Sequence, residues 1–180
     1  MNSPAIDARR DAGDGGATPA PVIGDFLADH RVMVDLEVAS RKRLLEQMAK
    51  LLAPAQNGDD ANADDDPCVD SVLRALIQRE KLGSTGIGDG IALPHARIAG
   101  LAEPMIAVAR LKRAIPYDAQ DGAPVWLAVC LLAPAQNGAD DNAIHLQLLA
   151  ALAKRFGAPG FLERLRNAPS AADLAAQFRQ

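Results

Sequence analysis

The chain has 180 residues, 49% of them hydrophobic and 3% aromatic, with a formal net charge of −4. This length fits one domain with a full core, built mainly from Leu, Val, Ile and Ala. The charge leaves no nucleic-acid footprint, no run of about 20 apolar residues marks a membrane insertion, and the N-terminal MNSPAIDARRDAGDGG lacks the apolar stretch of a secretory signal. The two cysteines, Cys68 and Cys130, stand far apart in unlike contexts, which argues against a disulfide framework. Cys130 lies in an apolar run and reads as a small core residue. A cytoplasmic protein is expected.

Residues 1–20 are rich in Ala, Gly, Asp and Pro without periodicity and read as a disordered tail, leaving one domain at 21–180. VMVDLEV at 32–38 alternates apolar and polar residues, as a half-buried strand does. Ser40 can cap a helix running to about Leu52, with Leu44, Leu45, Met48, Leu51 and Leu52 as its apolar stripe. Arg41, Lys42 and Arg43 crowd its first turn, where the helix dipole disfavours each positive charge by about 0.3–1 kcal/mol. Either a solvated basic turn or a surface role would account for them.

PAQNGDDANADDD at 54–66 is an acidic, turn-rich loop, and Asp66 with Pro67 signals a helix start. Val69, Val72, Leu73, Leu76 and Ile77 continue with a helical period, which Gly83 ends. No regular helix fits GSTGIGDGIALPHARIAG. Strands are predicted at 105–112 and 125–133, the second nearly all apolar and hence central, with a turn region between them. A capped amphipathic helix at 140–156 and two short helices near 160–167 and 171–178 close the chain. Ser170 and Asp173 form a capping-box pair on the last of these. The octapeptide LLAPAQNG occurs at Leu51 and again at Leu131. It is too short and isolated to signal a repeat architecture.

Gly83, Gly86, Gly88 and Gly90 crowd together. Such density fits either a chain of tight turns or close approach of backbone N–H groups to an anion. No Lys follows, as a Walker loop needs, and the GxGxG spacing after a helix is not a dinucleotide loop. Pro94 then fixes the backbone beside His95. A histidine in this position is often structural, but two neighbours favour chemistry. Glu80 falls on the apolar stripe of the preceding helix, where a carboxylate needs partners that the glycine loop could supply. Arg79, at the edge of that stripe, can reach the loop's rim. His145 points along the apolar stripe of its own helix, in the first turn. There it is either a core histidine bonded to a carbonyl or a donor to a phosphate oxygen.

The string QREKLGSTGIGDGIALPHARI resembles the active-site segment of the enzyme IIA domains of the bacterial phosphoenolpyruvate-dependent phosphotransferase system. The likeness is to the fructose/mannitol class (type 2), and within it to the stand-alone nitrogen-regulatory form. It continues through AIPYDAQDGAPVWLAVCLLAPA and HLQLLAALAKRF and covers roughly residues 22–178. The resemblance implies an α/β (α+β) fold, a mixed β-sheet with helices on both faces. It implies that His95 accepts a phosphoryl group from an HPr-type phosphocarrier, with His145 as the second active-site histidine and Arg79 lining the site. Glu80, Ser84, Thr85 and Gly86 belong to the motif as phosphate-loop or supporting residues. Where the family often has Gly-Lys after the histidine, this chain has Ala96 and Arg97, and Arg97 keeps the positive charge. The loops at 54–66 and 134–143 look longer than usual.

Three functions follow. The chain is a regulatory phosphohistidine carrier acting on other proteins, a soluble IIA component passing phosphate to a IIB protein for sugar transport, or a binding module whose histidine is unused. The intact motif speaks against the third. No cofactor and no metal is expected, since two histidines without a carboxylate cluster make a poor metal site.

Overall fold

The computed structural model describes residues 22–53, 68–135 and 139–180. The tail at 1–20, the acidic loop at 54–66 and Pro67 lie outside them. A short 3-10 turn, Ile23–Phe26, leads into β1, Leu27–Leu36. The helices α1, Arg41–Leu52, and α2, Val69–Lys81, follow. The glycine-rich segment holds three short strands: β2, Gly86–Gly88, β3, Ile91–Ala92, and β4, His95–Ile98. Two long strands come next, β5, Met105–Ile115, and β6, Val125–Pro134. The chain ends in α3, Ala139–Phe156, α4, Phe161–Asn167, and α5, Ala171–Phe178.

The six strands form one mixed sheet in the order β1-β5-β6-β3-β2, with β4 also paired to β6. All ten residues of β6 are buried. It lies antiparallel to β5 on one side and parallel to β3 and then β4 on the other. A strand covered on both faces reads as a continuous apolar run, which is why it is recognisable in the sequence. Alternate β5 residues feed opposite cores. Ala107, Ala109 and Leu111 face α1 and α2, while Ile106 and Val108 face α3, α4 and α5. Helices therefore cover both faces of the sheet.

Local chemistry sets several boundaries. Ser40 caps α1 by accepting the N–H of Arg43, and Leu44, Leu45, Met48, Ala49 and Leu52 are buried beneath it. Ser170 caps α5 by accepting the N–H of Asp173. The N-cap of α2 is Cys68 and its first helical residue Val69, two residues beyond the start at Asp66 and Pro67 read from the sequence. β1 begins five residues before the predicted strand at 32–38 and ends two earlier. It is an edge strand paired only with β5, and two register shifts break its alternation. The LLA that opens the repeated octapeptide ends and caps α1 at Leu51 to Ala53 and continues β6 at Leu131 to Ala133, so tertiary context decides its conformation.

Candidate active site

His95 opens β4, in register with Leu131 of β6. Just before it, the Pro94 carbonyl accepts the N–H of Leu131, and the N–H of Leu93 donates to the carbonyl of Thr85, each over 2.9 Å. The β2–β3 hairpin thus folds the chain back, so that the start of the glycine loop supports the segment carrying the histidine. Two glycines make this turn possible. Gly90 has φ +75°, and a Cβ there would lie 2.2 Å from Trp126 Cδ1. A Cβ on Gly86 would lie 2.8 Å from that of Ala119.

The His95 ring is held at both nitrogens. Nδ1 lies 2.9 Å from the Leu93 carbonyl, which can only accept, so Nδ1 carries the proton. Nε2 then bears the lone pair and accepts from Nε–H of Arg79 over 3.0 Å. Burial is the first cause holding the His95 pKa below its ordinary 6.5, opposed by the bond to Leu93 and assisted by the Arg79 charge. The imidazole is neutral at neutral pH, with its nucleophilic nitrogen on the Arg79 side.

Arg79 leaves the last turn of α2. Besides His95 it donates to the Gly83 carbonyl over 3.0 Å. His145 stands on α3 with its ring centroid 5.6 Å from that of His95. Because α3 begins at Ala139, His145 lies in the second turn, not the first, so the free N–H groups of the helix end precede it by more than a residue. Its contribution is its own ring. The residue is 7% exposed, and burial, followed by the nearby His95 and Arg97, pushes its pKa down to about 4. Nδ1 is buried without a hydrogen-bond partner among the described residues, so it is not bonded to a described backbone carbonyl as a core histidine would be. Arg79, His95, Arg97 and His145 line an open depression of about 660 Å³ together with the apolar Ala75 and Leu82. Arg97 also donates to the Pro134 carbonyl over 3.4 Å.

The other motif residues lie behind the histidine. Glu80 Oε1 accepts the N–H of Thr85 over 3.1 Å, and Oε2 accepts its hydroxyl over 2.6 Å. The loop thereby supplies the partners a carboxylate on an apolar stripe requires. Ser84 donates to the Tyr117 carbonyl and accepts the N–H of Gly86. With these N–H groups engaged internally, Thr85 and Gly86 hold the loop's shape and do not offer their N–H groups to an anion. Tyr117 and Arg41 join the same cluster, and neither is evident as a site residue from sequence reasoning. Tyr117 lies in an apparent turn yet is 1% exposed, with its hydroxyl 3.1 Å from that of Thr85. Arg41 forms ion pairs with Asp118 at 3.0 Å and Glu80 at 3.6 Å. The crowding of positive charge at the start of α1 was the signal for it.

Among the described residues no group of three or more His, Cys, Asp or Glu side chains could hold a metal ion. None of the described helices is long and apolar enough to cross a membrane.

A mixed sheet covered on both faces, carrying a neutral histidine whose Nε2 lone pair meets an arginine beside a second histidine, defines a candidate group-transfer protein. A family model described as "Phosphoenolpyruvate-dependent sugar phosphotransferase system, EIIA 2" matches residues 25–180, and the chain belongs to that family. It is 40% identical to a nitrogen regulatory protein of Pseudomonas aeruginosa over 83% of this chain and 89% of the relative. It is 39% identical to a fructose-specific EIIA component of the phosphotransferase system of Haloferax volcanii over 73% of this chain and 78% of the relative. Among solved structures it resembles nitrogen regulatory protein IIA-Ntr of Neisseria meningitidis, with TM-score 0.76 and 34% identity, covering 88% of this chain and 99% of that one.

Proposed function

We propose that the protein is a regulatory phosphohistidine carrier of the nitrogen branch of the phosphotransferase system, with His95 as its phosphoryl acceptor. One observation carries the assignment of the acceptor. Nε2 of His95 bears a lone pair, and Arg79, one of the depression's cationic walls, donates to it. The names of the Pseudomonas and Neisseria relatives support the regulatory branch. The donor is a phosphorylated HPr-type carrier, the targets are partner proteins, and the protein works in the cytoplasm through its domain at 21–180.

In the reaction the Nε2 lone pair attacks phosphorus while the bond from phosphorus to the donor's histidine nitrogen breaks. The transition state is loose, so positioning and charge stabilisation account for most of the catalysis. Arg79 shifts its N–H from Nε2 to an equatorial phosphoryl oxygen as the new bond forms. His145 and Arg97 line the same depression and stabilise the remaining charge. Positive charge growing on the His95 ring is stabilised by Nδ1–H donation to Leu93. Glu80, Ser84, Thr85 and Gly86 support the loop.

The test incubates the protein with phosphoenolpyruvate, enzyme I and the carrier. One acid-labile phosphoryl group should appear, and His95→Ala should remove it. The relative described as fructose-specific favours a second reading, in which phosphate passes to a IIB protein. Loss of label that depends on both IIB and sugar would establish that reading. Stable label under those conditions, with partner binding that changes on phosphorylation, supports the regulatory one.

A further inference from the structure

The basic first turn of α1 has no part in the reaction just described, yet one of its residues reaches toward the site. Arg41 donates to the Tyr117 carbonyl over 3.3 Å and its guanidinium stacks 5.7 Å from the Tyr117 ring. The same group pairs with Asp118 and Glu80. These acceptors belong to the β5–β6 connection and to the end of α2. The Glu80 carboxylate is 6% exposed and is the shared anchor. Thr85, at the start of the glycine loop, gives it both N–H and hydroxyl, and the Tyr117 hydroxyl approaches both Thr85 and Glu80.

Glu80 is covalently next to Arg79, in the helical turn that aims the Arg79 guanidinium at His95 Nε2. Thr85 in turn accepts the N–H of Leu93, whose carbonyl holds His95 Nδ1. Both ends of the His95 hydrogen-bond arrangement therefore lead back to the Glu80–Thr85 pair, and Arg41 ties that pair to the β5–β6 connection. We propose that Arg41 is a positioning residue for phosphoryl transfer at His95. It acts through Glu80 and Thr85 without touching the reacting nitrogen. The rate effect rests on His95 being the acceptor, whereas the effect on the Arg79–His95 bond does not.

The test uses the full chain as wild type, Arg41→Ala and Arg41→Lys, in single-turnover transfer from the phosphorylated HPr-type carrier. Arg41→Ala should lower the rate constant at saturating donor about tenfold, with labelled fraction and half-saturating donor concentration unchanged. Lys keeps the charge but lacks the fork and should fall between. A merely structural defect lowers the labelled fraction instead. That result, or a rate within about twofold of wild type, overturns the proposal.

In the unphosphorylated protein, exchange of the Arg79 Nε–H with water, followed by NMR, should be about tenfold faster in Arg41→Ala; unchanged exchange overturns the proposal. Wild type that takes no label removes the functional reading and leaves this measurement to decide the role of Arg41. Should Arg41→Ala not fold, Thr85→Val replaces it. The Arg41→Lys/Thr85→Val double variant should then be no slower than Thr85→Val alone, and multiplying losses overturn the proposal.

Discussion

Nε–H of Arg79 donates to Nε2 of His95 over 3.0 Å, so the nitrogen we propose as nucleophile is capped by the residue we propose to hold the phosphoryl oxygens. The Nδ1 bond to Leu93 fixes the tautomer that makes this possible. The same arginine holds the Gly83 carbonyl after α2, so forming an N–P bond at His95 requires a guanidinium seated on the α2 terminus to re-aim.

Arg79→Ala should therefore slow phosphoryl transfer by about 10²–10³, the usual effect of losing one preorganised donor at developing charge. Because the Arg79 charge helps to lower the His95 pKa, its removal should raise the His95 titration midpoint. Rapid-quench transfer assays and NMR titration of the ring check the two effects. Arg79→Lys should restore little, since an ammonium on a flexible stem does not reproduce the two bonds of the fork.

His145→Ala should slow transfer by about 10–10² while leaving His95 able to accept the group, because His145 offers one donor without contributing the nucleophile. The depth of label at long times, compared with its rate of appearance, separates the two roles. A protein that unfolds without any rate effect in its folded fraction would instead make His145 a core residue.

Both histidines have pKa values below 6.5 in the folded state, His145 at about 4. Between those values the unfolded chain binds more protons than the folded one, so stability is fully present above 6.5 and declines as pH falls toward 4. Chemical denaturation across this range should show that decline, and His145→Gln should make it shallower. The transfer rate should for the same reason begin to fall only at a lower pH than an ordinary imidazole would give, since burial holds the His95 pKa down.

Gly90→Ala should destabilise the fold by about 2–4 kcal/mol, combining overpacking with a left-handed backbone. The added methyl would meet Trp126 Cδ1 at 2.2 Å, and the Gly90 carbonyl accepts the N–H of Trp126 over 2.8 Å, so the contact has little room to open. Thermal unfolding followed by Trp126 fluorescence measures the loss.

The parts of the fold legible in the sequence are those whose period is set by burial. β6 is apolar throughout because it is covered on both faces, and α1 and α2 show their stripes because each buries one side. The short strands β2, β3 and β4 escape sequence reading because they are too brief to show a period and are held by pairing to β6 or to one another. In the site, Glu80 and His145 are conspicuous as polar groups on apolar stripes. Tyr117 is not, since its burial comes from packing the β5–β6 connection against the glycine loop. Arg41 shows only as a charge at odds with a helix dipole, and its carboxylate partners come from distant segments.

The central claim is that Nε2 of His95 takes the phosphoryl group, and the most direct measurement is on the trapped phosphoprotein. Phosphorus–nitrogen couplings in a protein labelled with ¹⁵N at histidine identify both the residue and the ring nitrogen. The expected result is a single acid-labile phosphohistidine bonded through Nε2 of His95, absent from His95→Ala. Phosphate on Nδ1 of His95, on His145, or persisting in His95→Ala would contradict the account.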